Sequence, residues 1–329
     1  MATVRSRVGL SDSWRRLRRN PLSLGGLVII AFLFVVSFLS PVLANNKPIA
    51  LKKDGRWFFP SVFRYKEFSA LTNFKTMQAE TKIMPPVPWA YDESDEDIVE
   101  NPAPPSRAHW MGTDPIGRDL LSRVIHGTGV SLKVGFLSVG ISLFIGIIVG
   151  SLAGFYGGWI DMIFSRIIEV MQCFPTFFLI LTVIAFVGPS IWKVMVVIGV
   201  TTWTGLARMV RGEFLALRDR EFVLAARVLG ASDARIIFRH VLPNALAPVF
   251  VSATLGVASA ILVESTLSYL GLGVQPPDPS WGNLISEGQQ YIRSCWWLSI
   301  FPGSMILVTV LSYNLFGEGL RDALDPRMR

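Results

Sequence analysis

Five stretches of this chain, residues 21–46, 134–160, 170–192, 241–263 and 294–317, contain no charged side chain. Each exceeds the roughly 20 residues a helix needs to cross a hydrocarbon layer about 30 Å thick. Inside such a layer every backbone amide and carbonyl must be satisfied within the protein, so uncharged runs of this length predict helices and not strands or loops. A sixth stretch, 194–207, is shorter. It reaches spanning length if Lys193 extends its ammonium to the interface and the helix starts near Pro189. The expected fold is an all-α integral membrane protein with six transmembrane helices, and an even number puts both termini on one side.

Arginine placement orients it. Arg5, Arg7, Arg15, Arg16, Arg18 and Arg19 precede the first span against a single Asp12. Arg208, Arg211, Arg218, Arg220, Arg227, Arg235 and Arg239 follow the fourth. Short loops rich in Arg stay in the cytoplasm, so both flanks and both termini are expected there. The resulting division is a cytoplasmic segment 1–21, a first transmembrane helix 22–44, an external (periplasmic) insert 45–128 and a core 129–329 carrying five further helices. The core includes a cytoplasmic loop at 208–243. The first apolar run exceeds the 7–15 residues of a signal-peptide core, which favours a retained helix.

The net charge of +7 does not point to nucleic acid, because the basic residues collect at span ends and form no stripe with aromatics on a soluble domain. Cys173 and Cys295 lie far apart and suggest neither a disulfide framework nor a metal site. The dipeptide Gly-Lys never occurs, which excludes a phosphate-binding P-loop, and neither a zinc helix H-E-x-x-H nor a nucleophile elbow G-x-S-x-G is present. His109 and His126 belong to the insert and His240 to a cytoplasmic helix end, so no histidine relay crosses the membrane. Glu169 and Glu264 stand near span ends, where a carboxylate is expected to reach water or a partner. The chain is expected to do no chemistry and to hold no cofactor.

The insert balances 11 basic against 11 acidic residues. Asp54-Gly55, between Leu51-Lys52-Lys53 and Arg56-Trp57-Phe58-Phe59, predicts a hairpin. The acidic run 92–97 lacks calcium-loop spacing and is expected to be a solvated loop. In the second span Gly146, Gly150, Gly154 and Gly158 recur every fourth residue, a pattern that lets another helix approach closely. Pro175 predicts a kink in the third.

Residues 208–243 read as two helices around a sharp turn. Gly230 suits the left-handed position that ends the first helix, and Ser232 with Asp233 can cap the next. Ala225 and Ala226 leave a shallow face for another protein. The segment resembles the coupling loop of bacterial ABC-importer permeases, whose pattern is E-A-A-x-x-x-G followed by I-x-L-P. Ala225, Ala226, Gly230, Leu242 and Pro243 match, whereas Leu224 replaces the glutamate and His240 the isoleucine. Without that glutamate the resemblance implies no salt bridge to the ATPase at that position, but the helix–glycine–helix shape remains.

Two further segments narrow the resemblance to the dipeptide, oligopeptide and nickel permeases, second-subunit (DppC/OppC) type. The run 109–119 is similar to H-x-L-G-T-D-x-x-G-R-D, with Gly112, Thr113, Asp114, Gly117, Arg118 and Asp119 in place. The run 264–274, with Glu264, Gly271 and Gly273, and the following Pro276-Pro277 and Pro279-Ser280-Trp281-Gly282 resemble that group's fifth-span exit. Asn46-Lys47-Pro48 and the run 54–60 resemble the Yej-type subgroup, which takes up peptides and microcin C. Membership implies a second homologous permease, two ATPase subunits that use ATP and Mg, an extracytoplasmic solute-binding protein, and a bacterial inner membrane around them. The alternatives are nickel uptake by the same architecture, an ion-coupled carrier, or a membrane sensor. A carrier calls for paired mid-membrane carboxylates, and a sensor calls for a cytoplasmic output domain.

Overall fold

The computed structural model describes residues 10–68, 73–98 and 100–324; Arg5 and Arg7 lie outside the described residues. Helix α1 (Leu10–Arg19) ends at Asn20, whose side chain accepts from the amides of Leu22 (3.1 Å) and Ser23 (3.3 Å) and so starts α2 (Pro21–Leu43). Pro21 sits at the first helical position, where its missing N–H costs nothing. The insert holds strands β1 (Ala50–Lys53), β2 (Arg56–Phe58) and β3 (Thr81–Ile83). Four helices follow: α3 (Leu120–Tyr156), α4 (Gly158–Cys173), α5 (Thr176–Val187) and α6 (Ile191–Leu217). Short α7 (Glu221–Val228) and the single turn α8 (Asp233–Arg235) lead through a π-helical turn, Ile236–Val241, into α9 (Leu242–Tyr269). Helices α10 (Trp281–Gly288) and α11 (Trp297–Leu324) complete the described chain.

The direction of each helix follows from its contacts. A β-carbon on Gly199 would meet Ile141 and the Ser138 carbonyl, one on Gly146 would meet Leu206, and one on Gly154 would meet Phe214. Residue numbers rise together in α3 and α6, so the two helices run parallel. The chain between them must therefore return across the bundle, which makes α4 and α5 one crossing bent by 81°, not a re-entrant loop. Gly26 of α2 lies against Ser312 and Phe316 of α11. The described helices thus make six crossings. Residues 10–20, 218–241 and 324 gather at one end, called here the loop end, and the insert gathers at the other.

The Gly146–Gly150–Gly154 stripe forms the α3–α6 seam. Gly158 does not belong to it: with Gly157 (φ +67°) and its own φ of +51° it turns the chain from α3 into α4, and nothing lies within 4 Å of its missing β-carbon. The expected boundaries also move. Helix α3 begins 14 residues earlier than residue 134, because Arg123 and His126 are satisfied inside the protein. Helix α4 begins at Gly158 and not 170. Its Asp161 pairs with Arg211 of α6, so the charge that ended the uncharged window is compensated.

In the insert, Asp54 (φ +51°) and Gly55 (φ +73°) make the two-residue turn of the predicted hairpin, with Leu51 opposite Phe58 and Lys53 opposite Arg56. Strand β3 pairs with the other edge of β1, giving the order β2-β1-β3. Leu51, Phe58 and Phe74 fill its small core.

Candidate functional site

Two constellations carry the sequence motifs, one at each end of the bundle. At the loop end, α7 lies on the bundle through Val223 and Ala226, three residues apart on one face. They join Phe155 of α3, Val210 and Phe214 of α6, Ile236, Ile237 and Val241 of the π-helical turn, and Ala245 and Val249 of α9 in one core. Ala226 is buried, contrary to the expected role as an exposed shallow face. Its small side chain lets α7 settle close to the bundle, and only Ala225 faces outward. Leu224, Val228 and Leu229 also face outward, with Val228 87% and Leu229 86% exposed.

Gly230 (φ +77°) ends α7 in a Schellman motif: its amide donates to the Arg227 carbonyl and the Ala231 amide to the Ala226 carbonyl, both at 3.0 Å. A left-handed residue is needed here, and no atom lies near its missing β-carbon. Ser232 occupies the next cap position, but its hydroxyl makes no capping bond; only its carbonyl is used, by the Ile236 amide at 2.9 Å. Pro243 begins α9 without an N–H, and the hydrogen-bond pattern before it widens, with the Leu242 amide reaching back to the Ile237 carbonyl. Above the corner, Arg218 donates to the Gly154 carbonyl at the end of α3 (3.3 Å), and Arg227 stands over the Phe155 ring (5.9 Å).

At the insert end, residues 109–119 fold into a tight loop around buried charge. Asp114 accepts from the amides of Ile116 (2.9 Å) and Arg118 (3.0 Å), from the Arg118 side chain (2.5 Å) and from Arg123 (2.5 Å). Arg123, fully buried, and Arg118 both reach Glu287 of α10, 164 and 169 residues away. Two cations thus face two carboxylates, the balance such a site requires. His109 bridges Asp119 (2.8 Å) and Asp95 (3.1 Å). Asp95 is therefore drawn in from the acidic run instead of being solvated with its neighbours. Asp119 caps α3 by accepting from the Ser122 amide at 2.7 Å. Burial pushes the Asp119 carboxyl above its ordinary value, and the Ser122 amide and His109 pull against it. Thr113 accepts from the Ala103 amide (2.8 Å), and its carbonyl takes the Trp297 indole N–H (3.3 Å). Gly112 (φ +79°) and Gly117 (φ +83°) supply the left-handed turns, and Trp297 leaves no room for a side chain at Gly112.

The Glu264 motif packs beneath this loop. Of the two expectations for Glu264, water or a partner, the structure shows the partner: it is fully buried in α9 and accepts from Ser268 at 2.6 Å. Burial follows because Gly271 (φ +76°) ends α9 in a second Schellman motif and folds the exit back onto the helix. A side chain at Gly273 would run into Ser268, and one at Gly282 into the Ser265 backbone. Asn283 then holds the exit by donating to the carbonyls of Val274 and Asp278. The motif residues are positioning groups. Sequence reasoning missed Arg123, Glu287, Asn283 and Trp297. An arginine one turn into an apolar helix was the available signal for the first, and nothing local pairs it with Glu287.

Comparison with known proteins gives the family. Residues 146–329 match the family described as binding-protein-dependent transport system inner membrane component, and residues 10–55 match the N-terminal transmembrane domain of oligopeptide transport permease C. The dipeptide transport system permease protein DppC of Alkalihalophilus pseudofirmus is 36% identical over 97% of this chain and 90% of its own length. The oligopeptide transport system permease protein OppC of Bacillus subtilis is 38% identical over the same shares. A crystal form of the MetNI methionine ABC transporter, in an inward-facing conformation, has a chain that superposes with a TM-score of 0.51 at 20% identity, covering 62% of this chain and 97% of that one. That likeness concerns the fold. The chain belongs to the binding-protein-dependent transport permeases, inner-membrane components of ABC importers, of the OppC/DppC type.

Proposed function

We propose that this chain passes peptides across the inner membrane as one of two homologous permease subunits, driven by two ATPase subunits that dock on the α7–Gly230 corner. The loop end, with both termini, faces the cytoplasm, and the insert faces the extracytoplasmic binding protein that delivers the solute. ATP and Mg are held by the ATPase subunits. One observation carries the docking reading: Val228 and Leu229 stand almost fully exposed on an arginine-rich element outside the membrane-spanning helices. Large apolar side chains clustered at a water-facing surface mark a protein contact. Peptide is favoured over nickel because the dipeptide and oligopeptide permeases are matched along nearly the whole chain. Asn46-Lys47-Pro48 and the hairpin sequence favour, within that class, uptake of peptides and peptide conjugates of the Yej type.

Closure of the ATPase pair then acts on α7, and the shared core passes the movement to α3, α6 and α9. Such a switch works only if ATP favours one of the two arrangements. The variant Gly230→Val tests it. The β-carbon meets no atom, so the change acts through backbone geometry alone, at a cost of roughly 1–2 kcal/mol for a left-handed L-residue. The expected outcome is normal insertion and assembly, retained ATP hydrolysis and loss of most peptide uptake. Full uptake at normal expression contradicts the docking reading.

A further inference from the structure

The third crossing breaks at mid-depth. Just before the corner, Met171 packs beside Ile168, Trp203 and Ala207. Just after it, Phe177 packs with Ile180, Val194, Met195 and Ile198. Helix α6 therefore brackets the corner between Ile198 and Trp203, about 10–18 Å along from its start at Ile191. That depth lies well within a hydrocarbon layer of about 30 Å. At the corner Phe174 (φ −91°, ψ 129°) and Pro175 (φ −60°, ψ 113°) are extended, and α5 leaves at 81° to α4. The last carbonyls of α4 and the amides of Thr176, Phe177 and Phe178 fall outside the helical pattern, and no side chain caps α5. Gln172, Cys173, Phe174, Pro175 and Thr176 are all exposed.

A second observation is independent of the backbone. Arg166 and Glu169 pair with each other on the outer surface of α4, with side chains 75% and 58% exposed. Counted along the helix, Arg166, Glu169 and Cys173 share one face. Bare backbone groups in hydrocarbon cost several kcal/mol each, and irregular backbone at membrane depth is tolerated only inside protein or beside water. Glu169, between Ile168 and Met171 that pack beside Trp203, lies within the hydrocarbon layer, and an exposed charge there likewise faces an aqueous cavity.

We propose that the corner 172–176, with Arg166 and Glu169, forms a wall of the water-filled passage and touches the main chain of the peptide in transit. Its free carbonyls and amides, the Gln172 amide and the Thr176 hydroxyl offer donors and acceptors without regard to side-chain type. That suits a ligand class whose members share only an amide backbone. The ligand assignment rests on the peptide reading above; the aqueous exposure does not.

Cys173 is a reporter at the corner itself. With Cys295, which is buried, changed to Ala and the other subunits cysteine-free, it is the one thiol in the complex. The complete transporter is placed in vesicles, its peptide uptake is measured, and Cys173 is then exposed to a charged methanethiosulfonate or to a lipophilic maleimide. Phe38→Cys, made with Cys173 and Cys295 both changed to Ala and lying on the exposed face of α2 (84% exposed), serves as the lipid-facing comparison. The expected result is that Cys173 reacts with the charged reagent, more slowly when peptide is being transported, and that the adduct removes most of the uptake; Phe38→Cys reacts only with the maleimide. Reaction of Cys173 with the maleimide alone places the corner against lipid and overturns the proposal. Reaction with neither reagent places it against another subunit and overturns it equally. Absence of peptide uptake before labelling overturns the substrate reading instead, whichever way Cys173 reacts.

Discussion

Gly150→Leu is expected to prevent assembly of a folded transporter, while Gly140→Leu ten residues earlier on the same helix leaves it intact. A β-carbon at Gly150 would stand 2.5 Å from the Ala207 carbonyl oxygen, 2.7 Å from the Val210 β-carbon and 3.0 Å from the Arg211 amide nitrogen. Every one of these atoms belongs to the backbone or the root of a side chain, so no rotamer change relieves the clash and α3 must move away from α6. In a bilayer the two helices have no hydrophobic drive to hold them together; association rests on close packing. Overpacking a well-filled interior costs about 1–3 kcal/mol, and this site belongs at or above the top of that range. Gly140 meets nothing within 4 Å and sets the baseline. The check is the yield of monodisperse complex in mild detergent for the two variants side by side; equal yields contradict the seam.

Arg123→Ala is expected to loosen the insert end by about 3–5 kcal/mol, the usual result of removing one partner from a buried ion pair. Asp114 is almost fully buried, with 1% of its side chain exposed, and of its two cations keeps only Arg118 when Arg123 is gone. Two carboxylates, Asp114 and Glu287, then share one guanidinium. Arg123→Lys restores the charge but not the fork that reaches both Asp114 and Glu287, so it is expected to recover only part of the loss. The measurements are the thermal unfolding midpoint in detergent and protease cleavage within residues 100–119, both of which shift for Ala and shift less for Lys. Unchanged values for Arg123→Ala contradict the account of this cluster.

Hydropathy revealed the crossings because about 20 uncharged residues in succession permit few other structures. Helix ends were legible only where chemistry stops a helix locally. Gly230 marks the end of α7. Boundaries went astray where a charge inside a helix finds its partner far along the chain. Arg123 pairs with Glu287, and Asp161 with Arg211. The same reason hid the buried state of Glu264. Its burial depends on the chain after Gly271 folding back, which no periodicity records. Pro175 announced a kink, but the 81° bend and its depth are set by how α4 and α5 pack along α6.

This chain is expected to move solute only when an ATPase acts on the α7–Gly230 corner. The most direct measurement is peptide uptake into vesicles containing the two permease chains and the binding protein, with and without the ATPase subunits and ATP. The account predicts accumulation against a gradient only in the complete system, and its loss in Gly230→Val although hydrolysis continues. Accumulation by the permease chains without the ATPase, or undiminished accumulation in Gly230→Val, contradicts it.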